Sequence, residues 1–166
     1  MYTSRNFKVI LIDDDQQMAE MLKDFFQEKF PSSEISVFHT GEKALDGIFA
    51  DPDMIVLDYH LDSMDPNAMN GIQVLKKLRD RFAEIPVIFL SGQERAEVAA
   101  NTMRYGAYDY VVKNENAFHR LEILTKNILG SAELKKNLGM QKFFNYLLAF
   151  LIIAMIVGML IVRVTK

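Results

Sequence analysis

The sequence predicts an α/β fold: a doubly wound five-stranded parallel sheet of (βα)5 type, followed by one C-terminal transmembrane helix. Three observations carry this. Short apolar runs alternate with longer segments of 3.6-residue period, the pattern of strands buried on both faces and separated by helices. Four of the runs end in polar residues: Val9-Ile10-Leu11-Ile12 before Asp13-Asp14, Met54-Ile55-Val56-Leu57 before Asp58, Val87-Ile88-Phe89-Leu90 before Ser91, and Tyr110-Val111-Val112 before Lys113. Finally, FFNYLLAFLIIAMIVGMLIV at 143–162 is 20 residues long, carries no charge, and has only Asn145 as a strongly polar residue.

The elements follow in order along the chain. Strand one, over 8–12, runs into an acidic turn and a helix over 16–29, where Met18, Met21, Leu22, Phe25 and Phe26 share one face. Pro31, Ser32 and Ser33 break the chain before strand two, 35–38. Thr40 is positioned as the N-cap of a helix whose apolar positions are Ala44, Leu45, Ile48 and Phe49. Asp51-Pro52-Asp53 ends that helix and leads into strand three. The longest irregular stretch, 59–70, holds Asp62, Asp65 and Pro66-Asn67, and precedes a helix that starts at Gly71 and carries Ile72, Val74, Leu75 and Leu78. Pro86 opens strand four, as proline can at a first strand position. The next helix, 94–105, has a weakly apolar face of Ala96, Ala99, Ala100 and Met103, and Gly106 stops it. Strand five, 108–112, and a helix over 117–129 with Phe118, Leu121, Leu124, Ile128 and Leu129 complete the pattern. The expected organisation is a domain over 1–130, a partly helical linker over 131–142, the membrane segment over 143–162 and a short tail over 163–166. No internal repeat is visible.

Composition narrows the function classes. The 166 residues have a formal net charge of −3; without residues 143–166, which hold Arg163 and Lys166 and no acid, 17 basic residues face 22 acidic ones, a net of −5. That balance, with no helix-turn-helix segment after the domain, argues against nucleic acid as a partner. The absence of cysteine excludes disulfides, thiolate metal sites and cysteine nucleophiles. Twenty residues at about 1.5 Å rise match a bilayer core of about 30 Å, which makes membrane lipid an expected partner. Residues 1–8 are short and polar, so no targeting segment is expected ahead of strand one. The domain is accordingly placed at the cytoplasmic membrane, single-pass, facing the cytoplasm. Lys135, Lys136 and Lys142 on one side of the segment nearly balance Arg163 and Lys166 on the other, so flanking charge does not fix the orientation. Ala154 and Gly158 form a small-xxx-small pair compatible with a homodimer through the membrane helix.

In open parallel sheets ligands bind beyond the carboxyl ends of the strands, where the four run-ends converge. Asp13, Asp14 and Asp58 are hard oxygen donors suited to Mg²⁺, and an aspartate can act as nucleophile toward a phosphoryl group once charge repulsion is neutralised. A hydroxyl from Ser91 and the ammonium of Lys113 would hold the remaining phosphoryl oxygens. Three carboxylates against one divalent cation and one lysine leave the site balanced until a phosphoryl group arrives. Taken singly, the residues have plainer readings. Asp15 reads best as a cap of the following helix; Asp58 alone could be a turn residue and Lys113 a solvated strand end. His39 and His119 have no partner at ligand spacing and read as structural or surface residues.

LIDDD at 11–15, VLDYH at 56–60, LSG at 90–92 and GAYDYVVK at 106–113 closely resemble the receiver domain of two-component response regulators, over about residues 6–130. The resemblance implies a flavodoxin-like strand order 2-1-3-4-5 and a phosphoacceptor signalling domain, limited to Mg²⁺-dependent self-phosphorylation and self-dephosphorylation and otherwise not an enzyme. On it, Asp58 is the phosphoacceptor, Asp14 the direct metal ligand, Asp13 a ligand through water, and the backbone carbonyl of His60 a further ligand. Ser91 and Lys113 contact the phosphoryl group, Ser91 and Tyr110 form the switch, and Gly92 keeps the donor's approach open. The implied partners are a sensor histidine kinase or phosphotransfer protein and an unknown output protein that reads the face formed by helix 4, strand 5 and helix 5. The whole reading is a stand-alone, membrane-anchored response regulator that signals by contact; the alternative is a membrane-tethered module that binds its partner without phosphorylation. Two departures stand out. Asn114 follows Lys113 where the family commonly has a cis-proline, and the loop after Asp58 is longer than usual. Asp13-Asp14-Asp15 also resembles the Asp-x-Asp core of haloacid dehalogenase-like phosphatases, but Gln17 stands where their threonine is expected.

Overall fold

A computed structural model of the chain describes residues 7–49, 51–62 and 67–164, without the side chains at 152, 154 and 156–164. The chain divides into two compact units, Met1–Leu124 and Thr125–Lys166. The first holds β1 (Phe7–Ile12), α1 (Gln16–Lys29), β2 (Ser33–Phe38), α2 (Gly41–Gly47), β3 (Met54–Asp58), α3 (Gly71–Arg81), β4 (Val87–Ser91), α4 (Ala96–Arg104), β5 (Asp109–Val112) and the start of α5 (Ala117–Val164).

All strand pairings are parallel, in the order β2-β1-β3-β4-β5, as the sequence led us to expect. The strands β3 and β4 are buried from end to end because helices cover both faces, which is why their sequences are continuous apolar runs rather than alternating ones. Alternation decides which face each side chain serves. Ile10 and Ile12 of β1 join Ile55, Leu57 and Phe89 in a core with Val74, Leu75 and Leu78 of α3. On the other parity, Val9 and Leu11 are fully buried. An aromatic cluster of Phe7, Phe25, Phe26, Phe30 and Phe118 joins the start of β1 to α1 and the first turn of α5, with ring centroids 5.2 to 6.5 Å apart. The edge strand β2 alternates half-buried and exposed residues, Glu34 among the latter, as suits an edge.

Local signals fix the helix starts. Asp15 caps α1, its carboxylate accepting from the backbone N–H groups of Gln17 and Met18, and Thr40 caps α2 by accepting from Lys43. Asn70 and Gln73 form a reciprocal capping box at α3. By contrast α4 has no side-chain cap bond at Arg95, and Thr102 is its one buried residue. The far end of α4 is better held. Gly106, at φ 91°, turns the chain, and its carbonyl accepts from Arg79 Nε at 2.9 Å. The same guanidinium donates to the carbonyls of Phe82 and Ile85, and its burial lowers its pKa.

Some boundaries differ from the sequence expectation. Phe49 does not join the apolar face of α2: the helix stops at Gly47, Ile48 turns inward as its C-cap, and Phe49 is 88% exposed. Met21 is 47% exposed on α1. Strand β2 begins at Ser33 because it pairs with β1 from Phe7 onward. Residues 131–142, expected as a partly helical linker, lie wholly within α5.

The expected transmembrane helix over 143–162 is not found: among the described residues no helix is long and apolar enough to cross a membrane. Several side chains of that stretch, including those of the Ala154 and Gly158 pair, lie outside the described residues, as do Asp65, Pro66, Arg163 with respect to its side chain, and Lys166.

Candidate functional site

The parallel register brings the run-ends level. Ile12 pairs with Leu57, Asp58 with Leu90, and Ser91 with Val112, so the residues that close β1, β3, β4 and β5 meet at one edge of the sheet. Asp13 is buried, its backbone N–H donating to the Phe38 carbonyl and its Oδ1 accepting from the Asp15 N–H at 3.0 Å. Its own carbonyl meets Nδ1 of His39 at 3.0 Å, a structural contact that accounts for this histidine. Asp58, 4% exposed, ends β3. Lys113 lies between the two acids, with Nζ 2.9 Å from Asp13 Oδ2 and 3.1 Å from Asp58 Oδ1.

The lysine reaches this position without the cis-proline turn of the sequence comparison. No peptide bond among the described residues is cis. Instead the Lys113 N–H donates to the Ser91 carbonyl at 2.7 Å, and Asn114 shapes the turn by accepting from Asn116 on its side chain and from Ala117 on its carbonyl. The asparagine thus closes the loop through hydrogen bonds.

Burial and charge together explain the protonation behaviour. Burial raises the Asp58 carboxyl to about 6, and the neighbouring Asp13 adds to the rise, against the lowering effect of Lys113. Asp13 is also raised, first by burial and least by Asp14, with Lys113 opposing. Burial pulls Lys113 down, yet the Asp58 and Asp13 charges together outweigh it and hold the ammonium above its ordinary value. One cation is not enough for this crevice.

The donor set fits a further one. Ligand oxygens of Asp13, Asp14 and Asp58 lie within 4.8 Å of one another, and Asp14 Oδ2 is buried without a hydrogen-bond partner. An unpartnered buried carboxylate oxygen facing two others is what a small hard cation would satisfy.

Around this centre lie the remaining predicted residues. Ser91 is fully buried, and its Oγ accepts from the Gln93 N–H at 3.1 Å. Tyr110 is half-buried and donates its hydroxyl to the Gln93 carbonyl at 2.7 Å; burial raises its pKa. The His60 ring stands edge-on to Tyr59, and its Nε2 lies 2.9 Å from Gln93 Nε2. Gly92 is exposed, with open space where a Cβ would project. Gln93 was not singled out by sequence, yet it meets Ser91, Tyr110 and His60 at once. Two of these contacts use its backbone, which any residue would supply, so no sequence signal marks it.

Fold and site together define an α/β protein with an acidic crevice, crossed by Lys113, at the carboxyl edge of a parallel sheet. The model of the response regulator receiver domain matches residues 9–125, and the chain belongs to that family. It is therefore the receiver domain of a two-component response regulator, a class built for phosphoacceptor signalling that binds Mg²⁺ at an acidic pocket and works with histidine kinases or phosphotransfer proteins. Among curated relatives, it is 29% identical over 133 residues to the regulatory protein AtoC of Escherichia coli, covering 79% of this chain and 27% of AtoC. It is 31% identical over 120 residues to the cell cycle response regulator CtrA of Brucella ovis, covering 72% of this chain and 47% of CtrA. The chain thus spans less than half the length of these relatives. Among solved structures, it is 29% identical to the receiver domain of a Francisella response regulator, with TM-score 0.66, covering 76% of this chain and 99% of that one. The receiver domain of a putative LuxO repressor protein from Vibrio parahaemolyticus is 26% identical with TM-score 0.68, covering 80% and 96%.

Proposed function

We propose that Asp58 accepts a phosphoryl group from a phosphohistidine on a sensor kinase or phosphotransfer protein. The observation that carries this is the single ammonium of Lys113 shared by Asp13 and Asp58 beside the unpartnered oxygen of Asp14. In the transfer, an Asp58 carboxylate oxygen forms a bond to phosphorus, the phosphorus–nitrogen bond to the donor imidazole breaks, and the imidazole leaves with that electron pair and takes up a proton. With a pKa of about 6, Asp58 is ionised in roughly nine molecules of ten at pH 7 and so is ready as nucleophile. Lys113 stays protonated and follows the charge onto the phosphoryl oxygens. Asp14 would hold Mg²⁺ directly, Asp13 through water, and Asp58 and the His60 carbonyl would complete the protein ligands. The ion supplies charge neutralisation between nucleophile and phosphoryl group.

Output follows from Gln93. A phosphoryl oxygen that draws the Ser91 hydroxyl away competes with the Gln93 N–H, and Gln93 also carries the Tyr110 hydroxyl. Phosphorylation would thereby shift the loop before α4 and the face formed by α4, β5 and the first turns of α5, which a partner protein reads. The uncharged stretch over 143–162 supports a membrane anchor with the receiver domain in the cytoplasm. Phe143, Phe144 and Tyr146, on different sides of that stretch, are each at least 60% exposed, as lipid-facing residues would be.

The test is phosphoryl incorporation into the full chain in detergent micelles, with acetyl phosphate and Mg²⁺, read by intact mass beside Asp58→Asn. One added phosphoryl group, absent from the variant and without Mg²⁺, is expected. No addition to a folded protein would favour the tethered module that binds its partner constitutively.

A further inference from the structure

Past the end of β3, where Tyr59 follows Asp58, a cavity of about 350 Å³ opens between α3 and α4. Its size falls at the lower end of small-molecule sites, about 300–1,000 Å³. Tyr59 and Tyr105 supply aromatic surface, Val98 an apolar patch, and Gln73 and Asn101 side-chain amides. Among the described residues that line it, Lys76 is the one charged residue and none is acidic. The lysine's position is set, because its Nζ lies 4.1 Å from the centroid of the Tyr105 ring. Asn101 makes no side-chain hydrogen bond within the described residues, so its donor and acceptor are open to a ligand. The α4 wall can adjust, since that helix lacks a side-chain cap at Arg95 and buries Thr102 alone.

We propose that this groove is a binding site for a small planar aromatic anion, of the size of a nucleoside monophosphate. The ring would lie against Tyr59, the amides of Gln73 and Asn101 would meet its polar edge, and the Lys76 ammonium, held over Tyr105, would pair with the anionic group. Both halves of the ligand are required. A ring alone leaves Lys76 without a counter-charge, and an anion alone leaves the aromatic walls wet.

The experiment is a titration of the isotope-labelled full chain in detergent micelles with adenosine monophosphate, followed by backbone amide shifts. Adenosine and inorganic phosphate serve as separate probes. The expected result is saturable shifts at Gln73, Lys76, Val98 and Asn101, with adenosine monophosphate binding about fivefold or more tighter than either half. Lys76→Gln and Asn101→Asp, both at exposed positions, should each weaken binding by a similar factor while leaving the rest of the spectrum unchanged. Absence of shifts at these residues overturns the proposal, as does equal binding of adenosine or phosphate, or undiminished binding by both variants. The readout involves no phosphorylation, so it is independent of the fate of Asp58.

Discussion

Asp58 carries its charge in a place that disfavours it. Its native pKa, about 6, lies above the unfolded value of about 3.9. The folded protein therefore holds that proton more tightly than the unfolded chain does. The corresponding stability is fully present below pH 4 and is lost as pH rises through 6; Asp13, raised for the same reason, contributes with the same sign. An amide in place of the Asp58 carboxylate removes the penalty. Asp58→Asn is expected to be more stable than the parent by about 3 kcal/mol at pH 8 in chelator, with most of the difference gone at pH 4. Urea titration of both proteins at the two pH values checks this, and an unchanged difference would mean that Asp58 is not the strained group. A site of this kind gives up stability for readiness, as functional sites do.

At the scale of elements, the start of α3 is tucked against the acceptor strand. The Gly71 N–H donates to the Tyr59 carbonyl at 2.9 Å, and a Cβ on Gly71 would overlap the Asp58 carbonyl oxygen and lie 2.9 Å from the Tyr59 Cα. Backbone atoms, unlike a flexible side chain, cannot step aside. Gly71→Ala is expected to cost about 1–3 kcal/mol and to displace Asp58, so that acetyl phosphate labelling slows even at temperatures where the variant is folded. Thermal melting and labelling rate, measured on the same sample, separate the two effects. Wild-type labelling in a destabilised protein would show that the strand absorbs the strain without moving its carboxylate. The helices α1, α2 and α3 each have a side-chain cap, while α4 has none and is followed by Gly106, whose carbonyl Arg79 holds.

For the whole molecule, α5 is continuous from Ala117 to Val164, past Gly130 and Gly139, neither of which ends it. The proposed anchor predicts that the full chain sediments with membranes and resists extraction by alkaline carbonate. Replacing Leu151 and Ile153 together by arginine places two charges in the apolar stretch, at roughly 2.5–3.5 kcal/mol each near a bilayer centre. The double variant is expected in the soluble fraction. If it stays with the membrane, or if the parent is already soluble, the anchor is ruled out.

Much of this architecture is legible in the residues alone. Buried parallel strands must be apolar on both faces, so the cores of β1, β3 and β4 appear as runs, and the residue that ends each run is the one at the sheet's carboxyl edge. That is why Asp13, Asp58, Ser91 and Lys113 could be named before any contact was known, and why the Asp15, Thr40 and Gly106 punctuation marks of the helices could be placed. Other features needed the folded chain. Phe49 continues the period of α2 in sequence but falls outside it, because the helix ends where Ile48 turns into the core. The role of Gln93 depends on backbone groups, which are the same in every residue. The pKa of Asp58 and the orphaned oxygen of Asp14 arise from burial among groups 44 to 100 residues apart. Local composition determines what a segment can become; only the tertiary fold decides which charges share a dry space and which carbonyl a distant arginine reaches.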